Sequence, residues 1–437
     1  MEFPDTLRAL KYRDFRLFFS GQLISLIGTW MQIVAQSWLV YRLTGSSVLL
    51  GLVGFCGQFP VFLFSPMGGI TADRFSRHRV VIATQTSSMV LALALAVLTL
   101  GGWVRVWHII VLAILLGIVN AFDIPSRQSF ITDMVGKVDL MNAIALNSAM
   151  FNGARIVGPA VAGILVASIG EGWCFFANGI SYIAVIVGLL LMQNYPPVSQ
   201  PHSRSAVEHV VEGFQFVIQK APIGALLLLI GILSVTAMPY TVLMPIFADQ
   251  ILHGGARALG LLMGASGVGA LASAVILAMR RSLRGLGTWV AVAAGTFGCS
   301  LILFSFSHWF WLSFAMMVPT GFSMMLAMSS TNTLIQSMSP DNLRGRVMSV
   351  YSMMFVGMAP LGSLMAGFLA AHLGAPLTVG VGGFASLVAG SGFALWLPSL
   401  RAEARELIQA QQVAVATPPQ DLSDESLAYE ILDKSRT

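Results

Sequence analysis

Charge is what this sequence most lacks. Asp, Glu, Lys and Arg make up only 10% of its 437 residues against 56% hydrophobic, and the mean hydropathy is +0.80. Such a chain cannot solvate a globular surface, so a soluble domain is excluded. Cysteine is scarce as well. Cys56, Cys174 and Cys299 lie in or beside apolar stretches with no CxxC spacing, which predicts buried free thiols rather than a disulfide or metal site. The seven histidines form no HExxH pair, and no two carboxylates share an apolar stretch, so neither an enzyme nor a metal or other cofactor is expected. The sequence has no nucleotide-binding loop and nothing like a selectivity filter, which disfavours ATP as the energy source and an ion channel as the function. A cleavable leader is missing too, because the first apolar stretch is full length and has no small-residue cleavage site.

What remains is a series of twelve apolar spans, near 17–41, 46–70, 80–102, 106–124, 140–168, 173–193, 222–248, 257–279, 286–306, 308–330, 345–371 and 374–397. Each reaches or approaches the roughly 20 residues that carry a helix across about 30 Å of hydrocarbon. Alternation of period two is absent, so helices rather than strands are predicted. Twenty of the 24 Lys and Arg residues fall in every second gap or in the termini, and the gaps between hold only Arg42, Arg105 and Arg257. Short basic loops resist translocation, so this pattern predicts both termini in the cytoplasm. The formal charge of +5 is read as orientation rather than as affinity for nucleic acid. Trp103, Trp107, Trp173, Trp309 and Trp311 fall in or beside the opposite gaps, at the outer turns, and fit a headgroup belt.

The chain also repeats itself. Shifted by 204 residues without a gap, 117–165 overlays 321–369, so that Gly158 meets Gly362 and Ala162-Gly163 meets Ala366-Gly367. A parallel repeat at six-helix spacing predicts an all-α membrane protein of twelve transmembrane helices in two pseudo-symmetric six-helix bundles. The predicted divisions are 1–193 and 222–397 for the bundles, 194–221 for a cytoplasmic linker and 398–437 for a cytoplasmic tail. In the linker Val207, Val210, Val211, Phe214 and Ile218 recur at helical spacing opposite Glu208 and Glu212, consistent with an amphipathic surface helix or with a solvated linker.

The gap after the second span reads Gly69-Ile-Thr-Ala-Asp73-Arg74-Phe-Ser-Arg77-His78-Arg79. It resembles the G-x-x-x-D-R-x-G-R-[KR] signature of the major facilitator superfamily, with Ser76 and His78 as departures. In that family the acid faces the start of the eleventh helix. The resemblance therefore implies a latch of Gly69, Asp73, Arg74 and Arg77, with Gly69 permitting close helix approach. Phe15-Arg16, Gly28-Thr29-Trp30, Trp38-Leu39-Val40-Tyr41, Leu243-Met-Pro245 and Arg344-Gly345-Arg346-Val347 are similar to the bacterial branch of macrolide-efflux and enterobactin-exporting proteins. This implies a secondary active exporter of a small organic molecule, drug-like or metabolic, working by alternating access with proton-coupled antiport. A siderophore exporter and a lysolipid translocator are the alternatives. Its partners would be the substrate, the proton gradient and membrane lipid, and it would sit as a monomer in the cytoplasmic (inner) membrane.

Polar residues inside the spans are the candidate site. Gln22, Ser25, Thr29, Gln32 and Gln36 occupy an arc of about 80° on the first span, facing either a cavity or neighbouring helices. Asn120 marks the fourth span, Asn152 the fifth, Thr236 and Tyr240 the seventh, and Thr320 and Ser323 the tenth. Helices one, four, seven and ten line the cavity in the family the chain resembles. Arg155 is the one cation deep in a span, and serves either the substrate or a hydrogen-bond hub. Gly158, Pro159 and Gly163 resemble the helix-bending antiporter motif of the fifth helix. No carboxylate sits at mid-depth, which leaves Asp123 as the proton-coupling candidate or as a partner of Arg127. Eleven methionines between Met316 and Met365 suit an adaptable cavity, or simply fill space between helices.

Overall fold

The computed structural model describes residues 5–192, 206–280 and 282–416. Twelve helices in it are long and apolar enough to cross a membrane: α1 Arg13–Thr44, α2 Ser47–Arg74, α3 Arg77–Leu100, α4 Val106–Gly136, α5 Val138–Ile169, α6 Glu171–Leu190, α7 Ala221–Ile251, α8 Gly255–Ala278, α9 Leu286–Ser305, α10 Phe310–Met338, α11 Leu343–Leu373 and α12 Ala375–Gln411. A 3-10 segment, Asp5–Lys11, precedes α1, and a linker helix, Ala206–Gln219, precedes α7. Among the described residues there is no strand.

Several helices outrun their apolar spans. The fourth was expected to end near 124, yet α4 continues through Pro125 to Gly136, whose φ of 68° turns the chain into α5. Hydropathy ends where the hydrocarbon ends, but a helix needs only a backbone partner and continues into the aqueous loop until a residue such as this glycine stops it. The same holds for α12, which runs through Pro398. In the first loop Gly45 takes the left-handed conformation at φ 61°, and the Ser46 hydroxyl accepts from the Leu49 amide to start α2.

Lipid-facing side chains are apolar and exposed, as with Leu63, Ile164 and Leu395. Trp103, Trp107, Trp173, Trp309 and Trp311 are exposed in the non-basic loops or at the helix starts beside them, as the belt predicted. In the first half α1 packs on α6 and α5, α2 on α4, and α3 on α6; in the second, α8 packs on α10 and α9 on α12. At the basic end Phe18 meets the edge of Phe130, with Phe15, Val81 and Leu189 around them. Asp139 there binds Arg8 at 2.7 Å, Lys11 at 2.6 Å and the Tyr12 hydroxyl at 2.8 Å, tying the N-terminal segment to the start of α5. The hydrogen bond to Asp139 raises the pKa of the Lys11 ammonium above its ordinary value.

Of the proposed linker, residues 194–205 lie outside the described residues, as does the tail beyond 416. The linker helix rests on the start of α11, where Glu212 pairs with Arg346. Its Val217 is buried and Ile218 is exposed, so the face against the protein is turned one residue from the expected stripe.

Candidate substrate cavity and gate

The two halves are joined tightly at the end away from the basic loops, through two crossings that the internal repeat relates. On α5, Gly163 approaches Gly260 of α8 so closely that an added Cβ would lie 3.0 Å from its Cα; a Cβ on Gly260 would lie 2.5 Å from the Pro159 carbonyl. On α11, Gly367 approaches Gly51 of α2, and a Cβ on Gly51 would lie 2.5 Å from the Ser363 carbonyl. Residues 159 and 163 become 363 and 367 under the 204-residue shift, so one contact has been built twice. Only glycine lets backbones meet at this distance. Gly163, read from the sequence as a helix-bending residue, is placed here as a close-approach residue, as is Gly158, whose missing side chain leaves room for Trp30.

Polar contacts close the same end. The Tyr41 hydroxyl donates to Asp249 Oδ2 at 2.8 Å, and the Ser47 hydroxyl donates to the Gly367 carbonyl at 2.9 Å, both across the two halves. Arg42 binds Glu171 through two nitrogens at 2.7 and 3.2 Å within the first half. Sequence reasoning missed Tyr41, Ser47, Gly51 and Gly260 as gate residues. The repeat had already flagged Gly163 and Gly367, but nothing local in the sequence names their partners.

At the basic end the picture differs. Asp73 faces Arg77 at 3.7 Å with its side chain 63% exposed, and Arg77 is held by both oxygens of Asp133, at 2.8 and 2.9 Å. Arg74 is exposed. Gly69 has open space around it; the close helix approach expected of it belongs to Gly68, which meets the Ala121 carbonyl of α4. One residue is about 100° of helix, which suffices to move the contact.

Arg155 sits where the two halves meet. Its backbone carbonyl lies 3.0 Å from where a Gly267 Cβ would be, at the inner limit of the α5–α8 crossing. The guanidinium stands over the Trp30 ring of α1, 5.7 Å from its centroid, and Trp30 meets the edge of Phe151. Tyr240 of α7 lies within electrostatic reach, its own hydroxyl paired with Ser266 at 3.0 Å. Among the described residues Arg155 has no carboxylate partner. A guanidinium so placed offers its donors to whatever enters between the halves.

The polar arc of α1 faces the core of its own half. Gln32 accepts from Asn178 Nδ2 of α6 at 2.7 Å, and the Thr29 hydroxyl lies 3.4 Å from that of Tyr182. Gln22, Ser25 and Gln32 are buried in this state, while Thr29, Gln36 and Asn120 are half-buried. Asn152 donates to the Ser148 carbonyl of its own helix. Thr236 donates to Ile232, Thr320 to Met316 and Ser323 to Pro319, each on its own helix, and the last two are fully buried beside the α8–α10 crossing. Asp123 is buried with its needs met: Thr84 and Gln85 each donate to Oδ1 at 2.8 Å, and Arg127 lies 3.4 Å from Oδ2. Asn178, Tyr182, Thr84 and Gln85 escaped the sequence reading because isolated polar residues in apolar spans carry no periodic signal.

Twelve membrane helices in two repeat-related bundles, joined at one end and with the half-buried Arg155 where they meet, define a transporter of the major facilitator type. A family model described as a transmembrane secretion effector matches residues 5–425, and the chain belongs to that family. Among curated relatives, the staphyloferrin A transporter of Staphylococcus aureus is 28% identical over 85% of this chain and 93% of its own. The multidrug efflux pump Tap of Mycolicibacterium fortuitum is 27% identical over 86% and 93%. The enterobactin exporter EntS of Shigella boydii is 24% identical over 89% and 92%. Among solved structures, a POT family transporter bound to a thioalcohol-conjugated peptide shares the fold at a TM-score of 0.71 and 12% identity, over 89% of this chain and 96% of that one.

Proposed function

We propose that this transporter exports a small organic molecule bearing an anionic group, by alternating access, with its basic loops and both termini in the cytoplasm. The observation that carries the reading is the lone guanidinium of Arg155 at the joint of the halves, one end of which is sealed by the paired glycine crossings. A half-buried cation with no carboxylate partner among the described residues favours a ligand that brings the missing charge. On this reading the structure is the inward-open state, and export requires the Gly51–Gly367 and Gly163–Gly260 crossings to part while Asp73 swings onto the start of α11. The drug-efflux and enterobactin-exporting relatives support export rather than uptake, and siderophore export is the narrower alternative. A lysolipid would call for a lateral apolar opening instead of a central cation.

Proton antiport is the coupling we assign. Of the buried acids in the first half, Asp139 is committed to Arg8 and Lys11 and Glu171 to Arg42 at helix starts, which leaves Asp123; protonating it would release Arg127 and reorganise the Thr84 and Gln85 hydrogen bonds. The protein acts as a monomer in the inner membrane. The test is transport in inverted membrane vesicles from a transporter-deleted strain, driven by an imposed pH gradient. Accumulation of an anionic test solute that collapses with a protonophore supports the reading. Accumulation indifferent to the gradient removes proton antiport, and no preference for anions removes the assigned substrate class.

A further inference from the structure

A cavity of about 1030 Å³ lies away from the joint, at the basic end of the second half between α7, α9, α10 and α12. Its floor is apolar, including Leu226, Leu334, Met338 and Phe393, while Arg284, Arg401 and Arg405 stand at its rim. Among the described residues no carboxylate lines it. Arg401 donates to the Thr288 hydroxyl at 3.1 Å, and neither Arg284 nor Arg405 forms an ion pair with a described residue.

The surroundings place the mouth at headgroup depth. Leu395 is 84% exposed and Trp396 is 50% exposed, so the face of α12 beside lining Leu397 looks into lipid. Nearby, the Arg280 guanidinium stacks on Trp289 at 4.1 Å, an aromatic–cation pair of the kind that sits at the interface. A soluble anion would use the arginines but leave the apolar floor wet. A neutral lipid would fill the floor and leave the arginines without a counter-charge. We propose that the cavity holds an anionic phospholipid of the adjoining leaflet, phosphate against Arg284, Arg401 and Arg405 and acyl chain along the floor. The site is separate from Arg155 and the joint of the halves, since none of its lining residues belongs to the first half.

The experiment reconstitutes the full chain in nanodiscs of mixed phosphatidylglycerol and phosphatidylcholine and counts retained lipids by native mass spectrometry. The wild type should retain phosphatidylglycerol preferentially, and the preference should fall about fivefold for each of R284Q, R401Q and R405Q, the rough effect of one basic residue at a charged surface. Lysine at the same positions should keep most of it. R284Q and R405Q change exposed side chains and keep the test valid if the triple variant does not fold. Three outcomes overturn the proposal. The triple variant could retain the wild-type preference. Inorganic phosphate or glycerol phosphate could displace the bound molecule, which would make this a soluble-anion site. Or the preference could emerge only in a chain ending at Ala416, which would assign the arginines to the acidic stretch 421–433.

Discussion

The first half buries carboxylates and amides (Asp123, Asp139, Glu171, Gln22, Gln32, Gln85, Asn152, Asn178), whereas among the described residues of the second half the buried polar side chains are serine, threonine and tyrosine hydroxyls. The difference is mechanical. A hydroxyl can satisfy itself on its own helix, as Thr320, Ser300 and Ser363 do on the carbonyl four residues back. An amide or carboxylate has more bonding capacity than its own helix can meet, and it recruits neighbours: Asp123 takes Thr84 and Gln85 from α3, and Gln32 takes Asn178 from α6. Cross-helix bonds set the register of the first half. The second half has fewer of them, and it alone contains π-helical turns among the described residues, at Leu233–Ala237, Phe247–Ile251 and Met353–Gly357. Two of these are bridged where Ser234 donates to the Phe355 carbonyl at 2.6 Å. Such turns hold spare carbonyls and adjust more cheaply than a regular helix. This contrast predicts that the first half moves as the more rigid body and that deformation concentrates in the second.

The sharpest way to break this contrast is at Arg155, deep in α5. Arg155→Gln should insert normally, because no buried acid is stranded, yet lose on the order of 30-fold or more in export of an anionic substrate, with Arg155→Lys intermediate; efflux normalised to membrane content reads this. Failure of Arg155→Gln to insert would make the residue a structural hub instead. Next in size is the polar clasp between the halves. Tyr41→Phe removes the bond to Asp249 and should favour opening of the sealed end by about 2- to 12-fold, the worth of one hydrogen bond, read as faster thiol labelling of a cysteine at Gln36 from that side. Asp123→Asn keeps an acceptor for Thr84 and Gln85 but drops the charge facing Arg127. Transport should fall only about threefold while its pH dependence shifts, measured as rate against pH. Asp73→Asn should be mildest, slowing transport about twofold without loss of folded protein, because in this state its side chain is largely in solvent. An unchanged rate would deny Asp73 a part in the opposite state.

The parts of the molecule legible beforehand are those with a periodic or repeated cause. Twelve apolar spans announced twelve helices, and the 204-residue repeat announced both the paired bundles and, in Gly163 and Gly367, half of each crossing. Arg155 was legible as an exception to its span. The partners were not. Gly51 and Gly260 sit in helices rich in glycine, and only three-dimensional proximity separates them from Gly54 or Gly264. The arc on α1 was real, but an arc on a single helix does not say which neighbour it faces, and it turned toward α6. Helix ends past the membrane, as at Gly136, leave no mark in hydropathy.

Alternating access makes one demand that no static contact can satisfy: opening the sealed end must close the basic end. Gly260→Val forces a side chain into the α5–α8 crossing at a cost of roughly 1–3 kcal/mol, enough to shift a two-state balance by about 5- to 150-fold. The direct measurement is pairwise spin-label distances in that variant and in the wild type, with one pair at Leu43 and Arg257 reporting the sealed end and one at Phe75 and Gln336 reporting the basic end. The account predicts that Gly260→Val lengthens the first distance and shortens the second in the same molecules. Widening at the sealed end with no change at the basic end, or widening at both, would contradict it.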